Sequence, residues 1–297
     1  MNEIALLGDS DDQFIVDLFN TLKSKGYAVS FLKFGNEDIP VKYRYRLIVD
    51  RASYCDEFLR SMVKSHSLKG TYVINNPFTS SCDDKIVEFN ICQRLGIPYP
   101  KTVILPKINQ HMDTTEQVSE PDIRQALSGM KFPIILKPHD GYAWDYVSTA
   151  NNIDEAKRIY DSQKGRLVLL AQETINPKTY YRVYYFWKRE PLFVRYLPNE
   201  RRYVTSDYSD IKNVMQIIRD YTIRLNIALD YDFNACEWAV DENESVFLID
   251  ALNETPELDP SSIPQEYYKI ILERFMSMLE EKLRSSENNK WHFECSP

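Results

Sequence analysis

Between residues 231 and 260 three oxygen-bearing side chains stand within, or just after, two apolar runs. Glu237 stands among Cys236, Trp238 and Val240, Asp250 follows Val246-Phe247-Leu248-Ile249, and Asn253 comes three residues later. Carboxylates set into apolar strands are costly to bury unless their charge is compensated. Two of them ~4 Å apart repel by about 4 kcal/mol at an effective dielectric near 20, so a shared cation is a natural compensation. Hard oxygen ligands at strand ends suit Mg²⁺ held jointly with the phosphates of a nucleotide. On this account, removing either acid relieves repulsion in the metal-free protein. The alternative is an ordinary hairpin whose acids face solvent. Either way Ala235–Val240 and Ser245–Leu252, flanking the polar turn Asp241–Glu244, read as two paired strands.

Three upstream segments carry further candidates. Asn75-Asn76-Pro77 and Ser81-Cys82-Asp83-Asp84-Lys85 precede a helix that ends at Leu95-Gly96-Ile97-Pro98-Tyr99-Pro100. Ser81 or Asp83 can cap that helix, Ile86, Phe89 and Leu95 form its apolar stripe, and Gly96 ends it. Lys85 then faces the positive end of the helix dipole, a poor place for a cation unless it reaches an anion. In the second segment Lys137 follows the apolar strand Phe132–Leu136, so it must snorkel out or meet a charge. Gly141 lies in a plausible flap over phosphates, but the loop is not a P-loop. In the third, the strand Arg166–Ile175 turns polar at Gln172-Glu173, where backbone groups could read an adenine edge or simply leave the core.

Taken in order, the helix ending G-I-P-x-P, the F-P-I-I-L-K-P strand, the Q-E-x-I hinge and the paired acids closing with D-x-x-N resemble the ATP-grasp superfamily. The likeness runs from about Asn75 to Pro260. It is nearest to the glutamate-ligase-like and D-alanine–D-alanine-ligase-like carboxylate–amine ligases, and to bacterial members with a K-P-x-D-G-x-A-W loop. The resemblance implies an α/β (α+β) chain with the ATP-grasp fold and an N-terminal α/β pre-ATP-grasp domain. It implies that Lys85 and Lys137 contact ATP phosphates and that Gln172, Glu173 and Ile175 hold adenine. Glu237, Asp250 and Asn253 match ligands for one or two Mg²⁺ ions. Arg182 matches the arginine of a D-x-R strand, and Arg195 and Arg202 join it as candidates for a substrate carboxylate or a developing oxyanion. Three departures stand out: Tyr180 where relatives carry an acid, D-A-L-N in place of the shorter E-x-N, and Tyr142-Ala143-Trp144 in place of small residues.

The implied activity is ATP- and Mg²⁺-dependent ligation of a carboxylate to an amine or a thiol through an acyl phosphate, with release of ADP and phosphate. Such phosphoryl transfer needs positioning and charge neutralisation more than a protein base. The same fold would also serve a kinase acting on a hydroxyl, or a nucleotide-binding protein without catalysis. The implied partners are small-molecule or peptide carboxylates and amines, and a homodimer is compatible with this reading.

Composition agrees. The 297 residues are 43% hydrophobic, enough for two domains. A net charge of −8 argues against a nucleic-acid surface, which needs a basic face. Five scattered cysteines, at 55, 82, 92, 236 and 295, fit reduced cytoplasmic thiols rather than disulfides or a metal cluster. Neither a basic leader nor an apolar run of ~18 residues is present, so no membrane partner is expected.

The elements that must position these residues divide as follows. Residues 1–76 form an N-terminal α/β domain, 77–175 a smaller ATP-grasp subdomain with its linking helix, 176–285 a second subdomain carrying the acids, and 286–297 a tail. Expected strands are Glu3–Gly8, Tyr27–Phe34, Arg46–Val49 and Thr71–Ile74. The first helix, Ser10–Lys25, has a Ser10/Gln13 capping box, and Asn152 with Glu155 caps another. Tyr180–Trp187 is a strand packed on both faces, Asn199–Asp210 a charged loop, and Lys107–Glu120 a polar loop. Ile211–Leu225 and Pro264–Leu283 are amphipathic helices. The tail frays unless Trp291 and Phe293 dock it.

Overall fold

The computed structural model describes residues 3–36, 39, 45–80, 84–108, 118–140, 146–198, 200–285 and 289. The expected loop 107–120, the Gly141–Trp144 flap and the Trp291 and Phe293 anchors fall wholly or largely outside them. In chain order the elements begin with β1 (Ile4–Leu7), α1 (Gln13–Ser24), β2 (Val29–Phe31), β3 (Leu47–Asp50), α2 (Glu57–Leu68), β4 (Tyr72–Ile74) and α3 (Pro77–Ser80). Next come α4 (Lys85–Leu95), β5 (Thr102–Leu105), α5 (Ile123–Ala126), β6 (Ile134–Pro138), β7 (Ser148–Ala150), α6 (Ile153–Gln163) and β8 (Leu169–Glu173). The chain continues with β9 (Thr179–Phe186), β10 (Leu192–Leu197), β11 (Arg202–Val204), α7 (Met215–Ala228), β12 (Phe233–Val240), β13 (Val246–Asp250) and α8 (Gln265–Arg284). No helix among the described residues is long and apolar enough to cross a membrane.

These elements build three sheets. The first, β2-β1-β3-β4, is parallel, with Ile4 opposite Val29 and Leu47, and Ile48 opposite Val73. The second, β5-β8-β6-β7, is antiparallel. The third runs β11-β10-β9-β12-β13. The chain separates into two compact units: residues 1–83, 179–238 and 250–297 form the first, and 84–178 with 239–249 form the second.

In the first unit the parallel strands β1, β3 and β4 are almost wholly buried, as strands covered on both faces must be. Helix α1 presents Phe14, Ile15, Leu18 and Leu22 to the core, one stripe at helical spacing. Its cap differs from the expected Ser10/Gln13 box. Asp12 Oδ1 accepts from the N–H groups of Phe14 (3.0 Å) and Ile15 (3.3 Å), while its other oxygen is held by Arg51 at 2.7 Å. A carboxylate already fixed by a guanidinium makes the stronger cap at the positive helix end. Strand β9 is packed on both faces, as its Tyr-rich sequence suggests.

A buried ion pair ties the parts of this unit together. Lys282 of α8 lies 2.8 Å from Asp232, both side chains about 95% or more buried. The Tyr72 hydroxyl donates to both carboxylate oxygens (3.0 and 2.8 Å) and accepts from Lys282 Nζ at 2.6 Å. The Lys282 ammonium also sits 3.6 Å from the centre of the Trp187 ring. Burial pushes the Asp232 carboxyl up, against the pull of Lys282 and Tyr72. Asn75, at φ 60°, completes the joint. Its Oδ1 accepts from the N–H groups of Asp232 and Phe233 (2.9 Å each) and its Nδ2 donates to the Phe233 carbonyl at 2.8 Å. The left-handed backbone is one that asparagine tolerates and bulky residues do not.

The tail is not wholly frayed. Asn289 is buried and its side chain accepts from the Val73 N–H and donates to the Val73 carbonyl, both at 2.8 Å. Its amide thus occupies the ladder position of a neighbouring strand on the edge strand β4.

In the second unit β6 and β8 pack Ile134, Leu136, Leu169 and Ala171 against Leu127, Ala156 and Tyr160. Helix α6 has the expected capping box: Asn152 Oδ1 accepts from the Glu155 N–H at 3.0 Å and Glu155 returns to the Asn151 N–H at 2.8 Å. Helix α4 is capped by Asp84, which accepts from the N–H groups of Ile86 and Val87 (2.8 and 2.9 Å). Ser81 and Asp83, the expected caps, lie outside the described residues. Gly96 ends it in the left-handed conformation, φ 65°, as expected.

Removing one member of a buried ion pair costs roughly 3–5 kcal/mol, because the other stays buried and unpaired. Asp232→Asn is therefore expected to lower unfolding free energy by that amount in guanidinium titrations. Adding Lys282→Met should restore most of it. A single variant within ~1 kcal/mol of the parent would show that the pair does not hold this unit.

Candidate functional site

Glu237 is the one residue of β12 that is not fully buried, and each of its carboxylate oxygens has a partner within the first unit. Oε1 takes two bonds from Arg182, from Nε at 2.8 Å and Nη2 at 2.7 Å, and Oε2 accepts from the Tyr180 hydroxyl. Arg182 donates its remaining arm to the Tyr203 hydroxyl and lies over the rings of Tyr196 and Tyr203, 5.0 and 5.5 Å from their centres. Burial raises the Tyr180 phenol well above its ordinary pKa, and Glu237 and Asp250 both add to the rise. Burial also raises Tyr203, and pushes Tyr184 up to about 12. These phenols therefore remain protonated donors at neutral pH. Burial opposes the charge of Arg182, but Glu237 and the surrounding phenols outweigh it, so the guanidinium holds its proton above the usual range.

Arg182, not a metal alone, balances the charge of Glu237. Relief of repulsion between the two acids is therefore no reason to expect Glu237→Ala to stabilise the metal-free protein. What that change removes is the counter-charge of a buried guanidinium.

Asp250 ends β13 and starts the loop that leads to Asn253. Its Oδ1 accepts from the Leu252 N–H at 3.2 Å, closing a turn that absorbs the extra residue of D-A-L-N. Asn253 then returns to β12: its N–H donates to Asn234 Oδ1 (3.0 Å), its Nδ2 to the Ala235 carbonyl (3.1 Å), and its carbonyl accepts from the Ala235 N–H (3.1 Å). Buried Asn234 completes the stitch through the Ala251 carbonyl at 2.6 Å and Asn226 at 2.8 Å. The loop is thereby pinned two residues from Glu237. The side chains of Glu237, Asp250 and Asn253 can offer a cation only oxygen, a chemistry that suits Mg²⁺. No group of three or more His, Cys, Asp or Glu gathers among the described residues. A cation held by two acids and one amide must take its other ligands from water or a bound anion.

The other two arginine candidates are also engaged. Arg195 pairs with Asp210 at 3.2 Å, an acid that accepts from Thr179 (2.8 Å) and Tyr181 (2.7 Å) as well. Arg202, largely exposed, pairs with Glu200 at 2.7 Å. It stands on β11, a strand where a loop was expected. Pairing of Tyr203 opposite Tyr196, rings 5.0 Å apart, is the reason.

In the second unit Lys85 opens α4 and is buried, and its N–H donates to the His139 carbonyl at 3.1 Å. That bond sets the helix N-terminus two residues beyond Lys137 of β6. The Lys137 ammonium lies 3.4 Å from the Ile249 carbonyl and 5.8 Å from the centre of the Phe89 ring. The backbone at Gln172-Glu173 is partly engaged in the sheet. Gln172 pairs with Thr102 and Ile135, Glu173 pairs with Ile134, and the Glu173 N–H donates to the Lys101 carbonyl at 2.9 Å. Their side chains are engaged too, Gln172 with Thr102 (2.9 Å) and Glu173 with the Lys131 N–H (2.9 Å). Strand β8 ends at Glu173, so Ile175 stands in the segment beyond it.

No family model and no curated protein matches the sequence. Solved structures do match. D-alanine–D-alanine ligase from Bacillus anthracis, complexed with ATP, aligns over 96% of this chain and 98% of its own with a TM-score of 0.68 at 13% identity. A RimK domain protein ATP-grasp from Sphaerobacter thermophilus aligns over 92% and 97%, TM-score 0.67 and 15% identity. The ATP-grasp ligase PsnB, complexed with a minimal precursor, Mg and ADP, aligns over 95% and 98%, TM-score 0.62 and 14% identity. The chain has the ATP-grasp fold.

Within this ATP-grasp chain, sequence reading found the two acids but not what surrounds them. Tyr180 was noted as a departure, and its hydroxyl proves to steady Glu237. The Tyr196 and Tyr203 rings around Arg182 were missed. Their signal was a tyrosine at matching places on either side of a short charged turn.

The different surroundings of the two acids make their variants separable. Glu237→Ala leaves Arg182 buried and unpaired and is expected to cost about 3–5 kcal/mol in urea unfolding with chelator present. Tyr180→Phe, which removes one hydrogen bond to a charge, should cost less, about 1.5–3 kcal/mol, and Asp250→Ala, which leaves the Arg182 pair intact, should also unfold at a higher midpoint than Glu237→Ala. Coincident unfolding midpoints for Glu237→Ala and Asp250→Ala would contradict this arrangement.

Proposed function

We propose that the protein is an ATP- and Mg²⁺-dependent ligase that joins a carboxylate to an amine, or to a thiol, and releases ADP and phosphate. The observation that carries the reading is the all-oxygen set Glu237, Asp250 and Asn253, pinned on β12 and β13 of an ATP-grasp fold. It is the set a hard cation shared with phosphates requires. Solved neighbours of this fold include a ligase complexed with ATP and one complexed with Mg and ADP, which supports the same ligands here.

The roles follow from chemistry. Bound Mg²⁺ supplies neutralisation of phosphate charge. Glu237, Asp250 and Asn253 would hold it, with Tyr180 and Arg182 fixing the Glu237 carboxylate in one orientation. Lys85 and Lys137 would contact the phosphates. Gln172, Glu173 and Ile175 would shape the adenine pocket. A substrate carboxylate attacks the γ-phosphorus of ATP, ADP leaves, and an acyl phosphate results. An amine then attacks the acyl carbon, loses a proton, and expels phosphate. Arginine or backbone donors stabilise the oxyanion that develops in that second step.

An acyl phosphate is intercepted by hydroxylamine, whereas a phosphate ester is not. With ATP, Mg²⁺ and a pool of amino acids and short peptides, hydroxylamine is expected to yield hydroxamate in step with ADP. A phosphorylated hydroxyl without hydroxamate would assign a kinase instead. Nucleotide binding is tested separately. ATP with Mg²⁺ should raise the melting temperature, since it binds only the folded state. Lys137→Ala should weaken ATP by roughly 10- to 100-fold, the equivalent of a charged hydrogen bond of about 1.5–3 kcal/mol. Equal titration curves for the parent and Lys137→Ala would remove that lysine from the phosphates.

A further inference from the structure

Two of the three proposed ligands can offer a cation only one oxygen each. Alternation along β9 puts Tyr180 and Arg182 on one face of the sheet, beside Glu237 of the neighbouring strand β12. Arg182 brings both Nε (2.8 Å) and Nη2 (2.7 Å) to Oε1 of Glu237. A dication at roughly 2.0–2.6 Å from that oxygen, the range Mg²⁺ and Ca²⁺ require, would stand against a guanidinium that is itself positive. Oε2 accepts only from the Tyr180 hydroxyl, and a carboxylate oxygen has lone pairs for two partners. Glu237 is thus open to a metal through Oε2 alone. In Asn253 the Nδ2 bond to the Ala235 carbonyl, at 3.1 Å, decides which way the amide faces. Its Oδ1 has no hydrogen-bond partner among the described residues.

Neither ligand can readily adjust. The third nitrogen of Arg182 donates to the Tyr203 hydroxyl, and the rings of Tyr196 and Tyr203 lie against its guanidinium, 5.0 and 5.5 Å from their centres. A counter-ion held on so many sides does not step aside for an arriving metal. Asn253 is fixed through its own N–H, which donates to Asn234 Oδ1 at 3.0 Å.

Mg²⁺ and Ca²⁺ ask different things of such a pair. Mg²⁺ is small, demands an octahedron, and fills the positions the protein leaves with water and phosphate oxygens. Ca²⁺ is larger, takes about six to eight oxygens, and gains from carboxylates that offer both of theirs. We propose that Tyr180 and Arg182 are positioning residues that restrict Glu237 to one oxygen and so make the site discriminate against Ca²⁺. The inference deepens the ligase reading and rests on it for the presence of a metal–nucleotide complex, naming the residues that choose the ion. A merely structural role for the two would weaken both metal complexes alike when either residue is changed, and would leave their ratio where it was.

That ratio is read by calorimetric titration of the full chain with a non-hydrolysable ATP analogue, once with Mg²⁺ and once with Ca²⁺ in excess over nucleotide. The parent is expected to bind the Mg²⁺ complex at least ~10-fold more tightly, because rigid single-oxygen ligands suit the smaller ion. Arg182→Met frees Oε1 and should bring the ratio to about threefold or less, chiefly by tighter binding of the Ca²⁺ complex. Tyr180→Phe keeps the ion pair and should shift the ratio the same way by a smaller amount, so it decides the matter by itself if Arg182→Met does not fold. Equal affinities for the two complexes in the parent, or a ratio unchanged in the folded variants, overturn the proposal and leave the ligase reading standing. A parent that binds the nucleotide with neither metal overturns that reading, and this inference with it.

Discussion

Asp232 and Lys282 meet in the dry interior of the first unit, and the geometry around the candidate site follows from how that pair is satisfied. Desolvating two charges costs several kcal/mol per ion unless every remaining lone pair and proton is matched. Here the Tyr72 hydroxyl and the rings of Tyr72 and Trp187 do the matching, while Asn75 clamps the backbone on either side of the Asp232–Phe233 bond. The clamp fixes where β12 begins. Five residues on from Asp232 along the same strand is Glu237, and the first strand positions, Asn234 and Ala235, are the ones that bind the Asn253 loop. The donor set inherits its precision from a joint that contains none of its members.

A second electrostatic choice governs the site itself. An acid awaiting a cation can be left exposed, which keeps it hydrated and mobile, or buried with a counter-charge, which fixes it but lowers its net attraction for metal. Glu237 takes the second course through Arg182. Around Arg182 the tyrosines raise the cost of any other arrangement, since each phenol is itself held in its protonated form by burial. Glu237 therefore brings little surplus negative charge to a cation. A cation would be drawn chiefly by the phosphates it arrives with, which favours a metal–nucleotide complex over the bare ion.

The fold was legible where signals are local. Asn152 and Glu155 lie three residues apart and satisfy one another, and Gly96 adopts the one conformation that a glycine at a helix end advertises. The two-sided packing of β9 and the hairpin of β12 and β13 were readable for the same reason. Local rules failed where a tertiary partner chose among equivalents. Asp12 caps α1 instead of Ser10 because Arg51, from the next parallel strand's end, reaches it. Nothing in the sequence says that β8, which carries Gln172 and Glu173, lies between β5 and β6. Glu237 and Asp250 could be picked out as acids in apolar strands, but their unequal surroundings could not.

The Asn289 amide on Val73 has a meaning in time as well as in space. Edge strands with open N–H and C=O groups recruit other chains, and here the cover for β4 comes from a residue 216 positions later. Synthesis proceeds at about 5–20 residues per second, N-terminal parts first, so the edge of β4 waits roughly 10–40 seconds for its cover. Lys282 arrives only a few residues earlier than Asn289, and without it Asp232 has no counter-ion. The growing chain thus carries a nearly complete parallel sheet with an exposed flank through most of its manufacture. That interval is when this protein has most need of a chaperone's shelter.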